Sequence, residues 1–182
     1  MDSLRGQLII ATPTLVDPNF NRTVVLIAEH TEDGAMGLVL NRPAETRVDE
    51  AVPDLAWLTE DDERVWVGGP VAETAVIVLA EWEDPTRAGA IVEGDLGFVG
   101  ADADGPEDLA GAIRRARVFA GHAGWGPGQL EEELAEDAWI VEPPRRDEIF
   151  CADPESLWAA VLRRKGSRYA LLATMPPDPS VN

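Results

Sequence analysis

Apolar positions along this chain fall into short blocks separated by proline, glycine and asparagine, and most blocks are too short for helices. Leu8 to Ala11 is a run of four, ended by Pro13. Thr23 to Ala28 (TVVLIA) is continuous and β-branched, the pattern of a buried strand. Met36 to Leu40 is the next strand, stopped by Asn41-Arg42-Pro43. With His30-Thr31-Glu32-Asp33-Gly34 between them, these two read as a hairpin with a longer loop. Ala44 to Glu63 is acidic with scattered apolar residues and predicts a weak helix and a loop. Val65 to Val67 is a strand broken by Gly68-Gly69-Pro70, and Ala75 to Ala80 is another. Ala90 to Val92 and Gly97 to Val99 are weaker strands.

Helical signals follow. Gly105-Pro106-Glu107-Asp108 opens a helix over 106–115, with proline at a first position and acids favoured by the dipole. Arg117 to Ala120 reads as a strand, Gln129 to Glu136 as a helix and Ala138 to Val141 as a strand ended by Pro143-Pro144. Asp153-Pro154-Glu155 opens a further helix, whose apolar face is Leu157, Trp158, Val161 and Leu162. Gly166 stops it, and Tyr169 to Ala173 is the last strand. The chain ends echo each other (LIIATPTLVDP, LLATMPPDP), but one element is too short to make a repeat. Strands and helices without regular alternation predict an α+β fold.

Composition narrows the class. The 182 residues suit one domain, and 45% hydrophobic with 27% charged content is that of a soluble globular protein. No apolar run approaches the roughly 20 residues needed to span a bilayer, and the start carries no secretory pattern. Cys151 is the one cysteine, so no internal disulfide forms, which fits a reducing cytoplasm. The formal charge is −19, from 34 acids and 15 bases. Direct nucleic-acid binding is therefore not expected unless arginines cluster. Arg114, Arg115 and Arg117 form one cluster, and Arg163, Arg164 and Lys165 another. Both lie at predicted helix ends, where positive charge is favoured locally, and no helix-turn-helix lies between them.

The densest local signal is FAGHAGWGPGQLEEEL, Phe119 to Leu134. It places Gly121, Gly124, Gly126 and Gly128 within eight residues around Trp125. Such density implies unusual torsions or close backbone approach. As a phosphate cradle it lacks the lysine and hydroxyl of a P-loop, and three trailing glutamates repel anions. It is otherwise a tight turn holding Trp125, or a contact for a protein or small ligand. Asn41-Arg42-Pro43 and Gly68-Gly69-Pro70 are strand-end turns that, brought beside it, would rim a shallow cleft. Arg42 would then contact a carboxylate or phosphate, with Asn41 and Gln129 as neutral donors. His30 and His122 are the only histidines and read as capping or surface residues. Asp102, Asp104 and Gly105 lack the register of a calcium loop. Cys151 reads as buried and inert, and no serine sits in a nucleophile elbow. No catalytic residue, metal or cofactor is expected.

Four segments in order resemble the YqgE/AlgH family of bacterial proteins: LIIATPTLVDPNFNRTVVLIAEH from Leu8, GAMGLVLNRP from Gly34, VGGPV from Val67, and FAGHAGWGPGQLEEEL with AWIV from Ala138. The family pattern carries an aromatic residue where His122 stands here. The resemblance implies a bifurcated, mainly antiparallel sheet bent into a pseudo-barrel with flanking helices. It implies no activity, although some members are labelled transcriptional regulators.

The leading expectation is a cytoplasmic, non-catalytic protein that binds a protein partner or small ligand through its glycine-rich face. Asn41, Arg42, Gly68, Gly69, Gly121, His122, Gly124, Trp125, Gly126 and Gln129 are its candidate contacts. Transcriptional regulation and a histidine-dependent hydrolase or transferase are the alternatives. Six tryptophans beside one tyrosine add a question. An exposed one would favour an interface.

Overall fold

A computed structural model describes residues 2–103 and 105–177. The strands are β1 (Leu8–Ala11), β2 (Val24–Thr31), β3 (Gly34–Val39), β4 (Pro43–Arg47), β5 (Arg64–Val67), β6 (Val71–Trp82), β7 (Ala90–Glu93), β8 (Leu96–Phe98), β9 (Ile113–Trp125) and β10 (Trp139–Glu142). The helices are α1 (Val48–Ala51), α2 (Pro106–Leu109), α3 (Gln129–Ala135), α4 (Arg146–Ile149), α5 (Pro154–Lys165) and α6 (Ser167–Leu172). A 3-10 turn follows α1 at Pro53–Leu58. The α+β class stands. Pairing is antiparallel throughout except for β5 with β9, and the strand path runs open-ended from β10 to β7 rather than closing into a barrel. No helix among the described residues is long and apolar enough to cross a membrane.

The chain divides into two compact units, one comprising residues up to Arg42 and from Ala123 onward, the other Pro43–His122. In the first unit the order is β10-β1-β2-β3 and the end of β9. Both faces of this sheet are buried, which is why LIIA and VVLI are continuous rather than alternating. One face gathers Ile9, Ala11, Val25, Ile27 and Val39 with Trp125, Leu130 and Trp139. The predicted hairpin is β2–β3, but His30 and Thr31 pair with Ala35 and Gly34, so its turn is Glu32-Asp33 rather than a longer loop; a bulge lies between Ile27 and Glu29. Helix α5 forms as read: Asp153 caps it by accepting the Ser156 N–H at 3.3 Å, and Leu157, Trp158, Val161 and Leu162 are buried. Trp158 also donates its indole N–H to the Ala11 carbonyl at 2.8 Å.

In the second unit β6 pairs with β9 over Val71–Trp82 and with β8, which pairs with β7. Strand β5 lies parallel to β9, with Trp66 opposite Phe119 and Val67 opposite Ala120. One face carries Val65, Val78 and Val118 and is covered by Val48 of α1 and Leu58 of the 3-10 turn.

Three local expectations are corrected. Tyr169 to Ala173 is helix α6 through Leu172, not a strand. A five-residue apolar run does not distinguish the two by periodicity. The helix over 106–115 ends at Leu109, and Arg114, Arg115 and Arg117 lie on β9. Their helix-forming sequence is overridden by pairing with β6. The acidic 44–63 stretch begins as β4 before the short helical turns. With α6 helical, the echo between the chain ends is not structural; its closing Asp178-Pro179 lies outside the described residues.

Candidate functional site

The glycine-rich segment divides between the units. In the first, Gly128 precedes α3 with φ +75°, a left-handed torsion suited to glycine. The turn is closed by a side chain: Gln129 Oε1 accepts the Gly126 N–H at 3.0 Å. One helical turn on, Glu133 is the hub. Its Oε2 accepts the indole N–H of Trp125 at 3.0 Å and of Trp139 at 2.7 Å, while Oε1 accepts from Gln129 at 3.0 Å. Both tryptophans pack on Phe20, with centroids 6.0 and 5.7 Å away. Strand β3 approaches closely beneath them. A Cβ on Gly34 would sit 2.2 Å from the Trp125 carbonyl oxygen, and one on Gly37 would sit 3.3 Å from the Trp125 ring. Gly124 pairs with Met36. Gly34 and Gly37 of β3 are thus packed against Trp125, whereas no indole lies within 4 Å of a Cβ placed on Gly128.

Asn41 and Arg42 belong to the first unit and hold the loop before β2. Asn41 accepts the Val24 N–H at 3.1 Å and donates to the Arg22 carbonyl at 2.9 Å. Arg42 donates to the carbonyls of Pro18 and Asn21 at 3.0 and 2.8 Å. These donors serve the backbone, so their geometry is that of a structural clamp.

In the second unit the sequence did bring distant pieces together. A Cβ on Gly121, whose φ is +71°, would lie 2.6 Å from the Gly69 carbonyl oxygen, and Gly68 donates to the Ala120 carbonyl at 2.9 Å. Val71 pairs with His122, while Val76 and Val67 both pair with Ala120. Paired residues share a face, so Val67, Ala120 and Val76 form one row across three strands. That row continues the face of Val65, Val118 and Val78: Ala120 at its centre still packs against the cluster under α1 and the 3-10 turn, and the valines at its two ends emerge from it. Val67, Val71 and Val76 are accordingly 41%, 41% and 47% exposed. Opposite the glycine, β6 bulges between Val71 and Val76, with Ala72 at φ +47°. The sequence reading missed these valines because a strand of β-branched residues reads as core.

The titratable candidates are occupied by structure. His30 Nδ1 accepts the Leu4 N–H at 3.0 Å, which leaves the ring N–H on Nε2 to donate to Glu131 at 2.8 Å. The Glu131 carboxyl is held below its usual range by its own backbone N–H and then by His30. His122 is half-buried on β9. Cys151 is buried, with its thiol 3.6 Å from the Leu40 carbonyl. Arg114 and Arg115 both reach Glu81 at 2.6 Å, and Arg164 reaches Glu142 and Glu148 at 2.7 Å. Neither cluster is a bare basic face. No cluster of metal-ligating side chains occurs among the described residues; Asp104 of the acidic turn lies outside them. Five tryptophans are buried, and Trp57 is 36% exposed.

Comparison with known proteins agrees with this architecture. The AlgH-like family pattern matches residues 8–170. A UPF0301 protein of Streptomyces coelicolor is 43% identical, covering 100% of this chain and 97% of its own. One from Thermobifida fusca is 42% identical over 99% and 96%. A crystal structure from Corynebacterium diphtheriae superposes with a TM-score of 0.87 at 27% identity, covering 96% of this chain and 94% of that one. The solution structure of the AlgH protein from Pseudomonas aeruginosa gives 0.71 at 31% identity, covering 97% of each.

Proposed function

The chain belongs to the AlgH-like family, and from that premise we propose that it is a non-catalytic cytoplasmic protein that binds another protein through the glycine-rich face of its second unit. The observation that carries this reading is the pair of exposed valines Val67 and Val76 flanking Ala120 in one row, with Val71 and His122 beside it. Gly68, Gly69 and Gly121 allow the strands carrying it to approach closely. In this reading Gly124 to Gln129, with Asn41 and Arg42, supports the fold rather than the contact. A charge of −19 selects an apolar partner segment flanked by basic residues and disfavours a second copy of the chain. Any transcriptional role would be exerted through that partner, because Arg114, Arg115, Arg164 and Lys165 are committed to carboxylates.

The test compares the wild type with a Val71→Asp, Val76→Asp double variant as bait in a native lysate. Circular dichroism confirms that both fold. A protein retained by the wild type and lost by about tenfold or more from the variant supports the reading. Identical retention by both, or none by either, sinks it.

A further inference from the structure

A groove of about 740 Å³ lies in the first unit; it shares Trp139 with the cluster around Glu133 but is lined by none of the glycines. Its volume is within the range of about 300–1,000 Å³ typical of ligand sites. One wall is β10, the last strand of its sheet, paired only with β1 among the described residues. In an antiparallel ladder, alternate residues turn their N–H and C=O toward the neighbour. Thr12 donates to the Ala138 carbonyl at 3.0 Å, which sets the phase. Ile140 and Glu142 therefore face β1, and Trp139 and Val141 turn their backbone groups outward. The bond from Lys165 Nζ to the Val141 carbonyl at 2.8 Å agrees with that phase. The opposite wall is α6, contributing Arg168, Tyr169 and Leu172, and Met175 follows it.

Strand edge and helix together make the geometry that accepts an extended peptide as an added strand. Charge selects the occupant. Glu136 and Asp137 stand just before β10, at one end of the groove. Lys165 is bonded at the other end, to Val141 and Glu142. Arg168, three residues further on, is exposed and makes no ion pair among the described residues. We propose that this groove binds an extended peptide segment of a partner protein, paired along β10, with a basic residue beside Glu136 and Asp137 and an acidic residue beside Arg168. The four residues of β10 span about 13 Å at the usual strand rise, so four or five peptide residues make the contact.

The probe is a displayed library of random heptapeptides panned on the intact chain, with enriched sequences remade as end-blocked synthetic peptides. Fluorescence anisotropy measures their binding. The expected sequences alternate β-branched residues, with a base toward one end and an acid toward the other. Arg168→Glu weakens them by about tenfold, and exchanging the peptide's acid for lysine restores binding to that variant. N-methylation of alternate peptide amides weakens binding by a similar factor, because the ladder is lost. The Val71→Asp, Val76→Asp variant binds them normally, which separates this groove from the face proposed above. No enrichment, or binders indifferent to both Arg168→Glu and N-methylation, overturns the proposal. So does a dimer in sedimentation that Arg168→Glu dissolves, since it would place a second copy in the groove.

Discussion

The carboxylate of Glu133 accepts the indole N–H of Trp125 at 3.0 Å from one helical turn past the glycines, and the same oxygen accepts Trp139. The glycine segment and the glutamates behind it are thus one structural unit. The turn brings α3 round so that its third residue after Leu130 reaches back to the Trp125 ring, against which Gly37 of β3 is packed.

Removing that acceptor leaves two buried indole N–H groups unpaired. Glu133→Ala should lower unfolding free energy by about 2 kcal/mol, whereas Glu133→Gln, which keeps an acceptor oxygen, should lose about 1 kcal/mol or less. Urea denaturation measures both. Equal losses in the two variants would mean that the hydrogen bonds contribute little.

The glycines differ in what a methyl group would meet. At Gly34, φ is +128° and a Cβ would press on the Trp125 carbonyl, while at Gly128, φ is +75° and nothing lies within 4 Å. Gly34→Ala should cost about 3 kcal/mol or more and Gly128→Ala about 1 kcal/mol. Matching thermal midpoints for the two variants would contradict the close approach of β3 to Trp125.

Acid should loosen the second unit through Glu81, which is 5% exposed. Burial alone pushes its carboxyl up, but the hydrogen bonds and charges of Arg115 and Arg114 outweigh that and hold it below its ordinary value of 4.5. A depressed folded pKa gives stability that is present above about 4.5 and lost as pH falls through the folded value. Glu81→Gln should therefore be less stable at neutral pH and show a flatter loss below about pH 4.5. Denaturant titrations across pH check this; an unchanged slope would count against the ion pairs.

The Cys151 thiol should resist alkylation in the native protein and react at the rate of a free thiol once the protein is denatured, because it is buried beneath the Leu40 carbonyl. Labelling followed by mass spectrometry reads this directly. Rapid native labelling would place the cysteine at the surface.

Much of the fold was legible wherever a strand is buried on both faces or a helix has an explicit cap. The runs of β1 and β2 are continuous because neither face meets water, and Asp153-Pro154 announces α5. Legibility failed where neighbours outvote local preference. The arginine-rich start of β9 has helical composition but is held by β6 and by Glu81. The first half of β6 was missed because Ala72, Glu73 and Thr74 are exposed and bulged. At the candidate site the glycines were visible and their partners were not. Glu133 read as one of three charges at a helix start, and its bonds to Trp125 and Trp139 exist only after α3 has turned. The valine row was hidden for the opposite reason: nothing in a β-branched sequence says which end of a strand its cover fails to reach.

Those exposed valines also bear on how the protein behaves in concentrated solution. Three half-bare valines beside a bulged strand favour association, and a charge of −19 opposes contact between copies. Repulsion of that kind reaches about 10 Å in 0.1 M salt and about 3 Å in 1 M. Adding salt should therefore move this chain from mutual avoidance toward reversible clustering without unfolding it, so that its colloidal state is set by ionic strength well before its fold is.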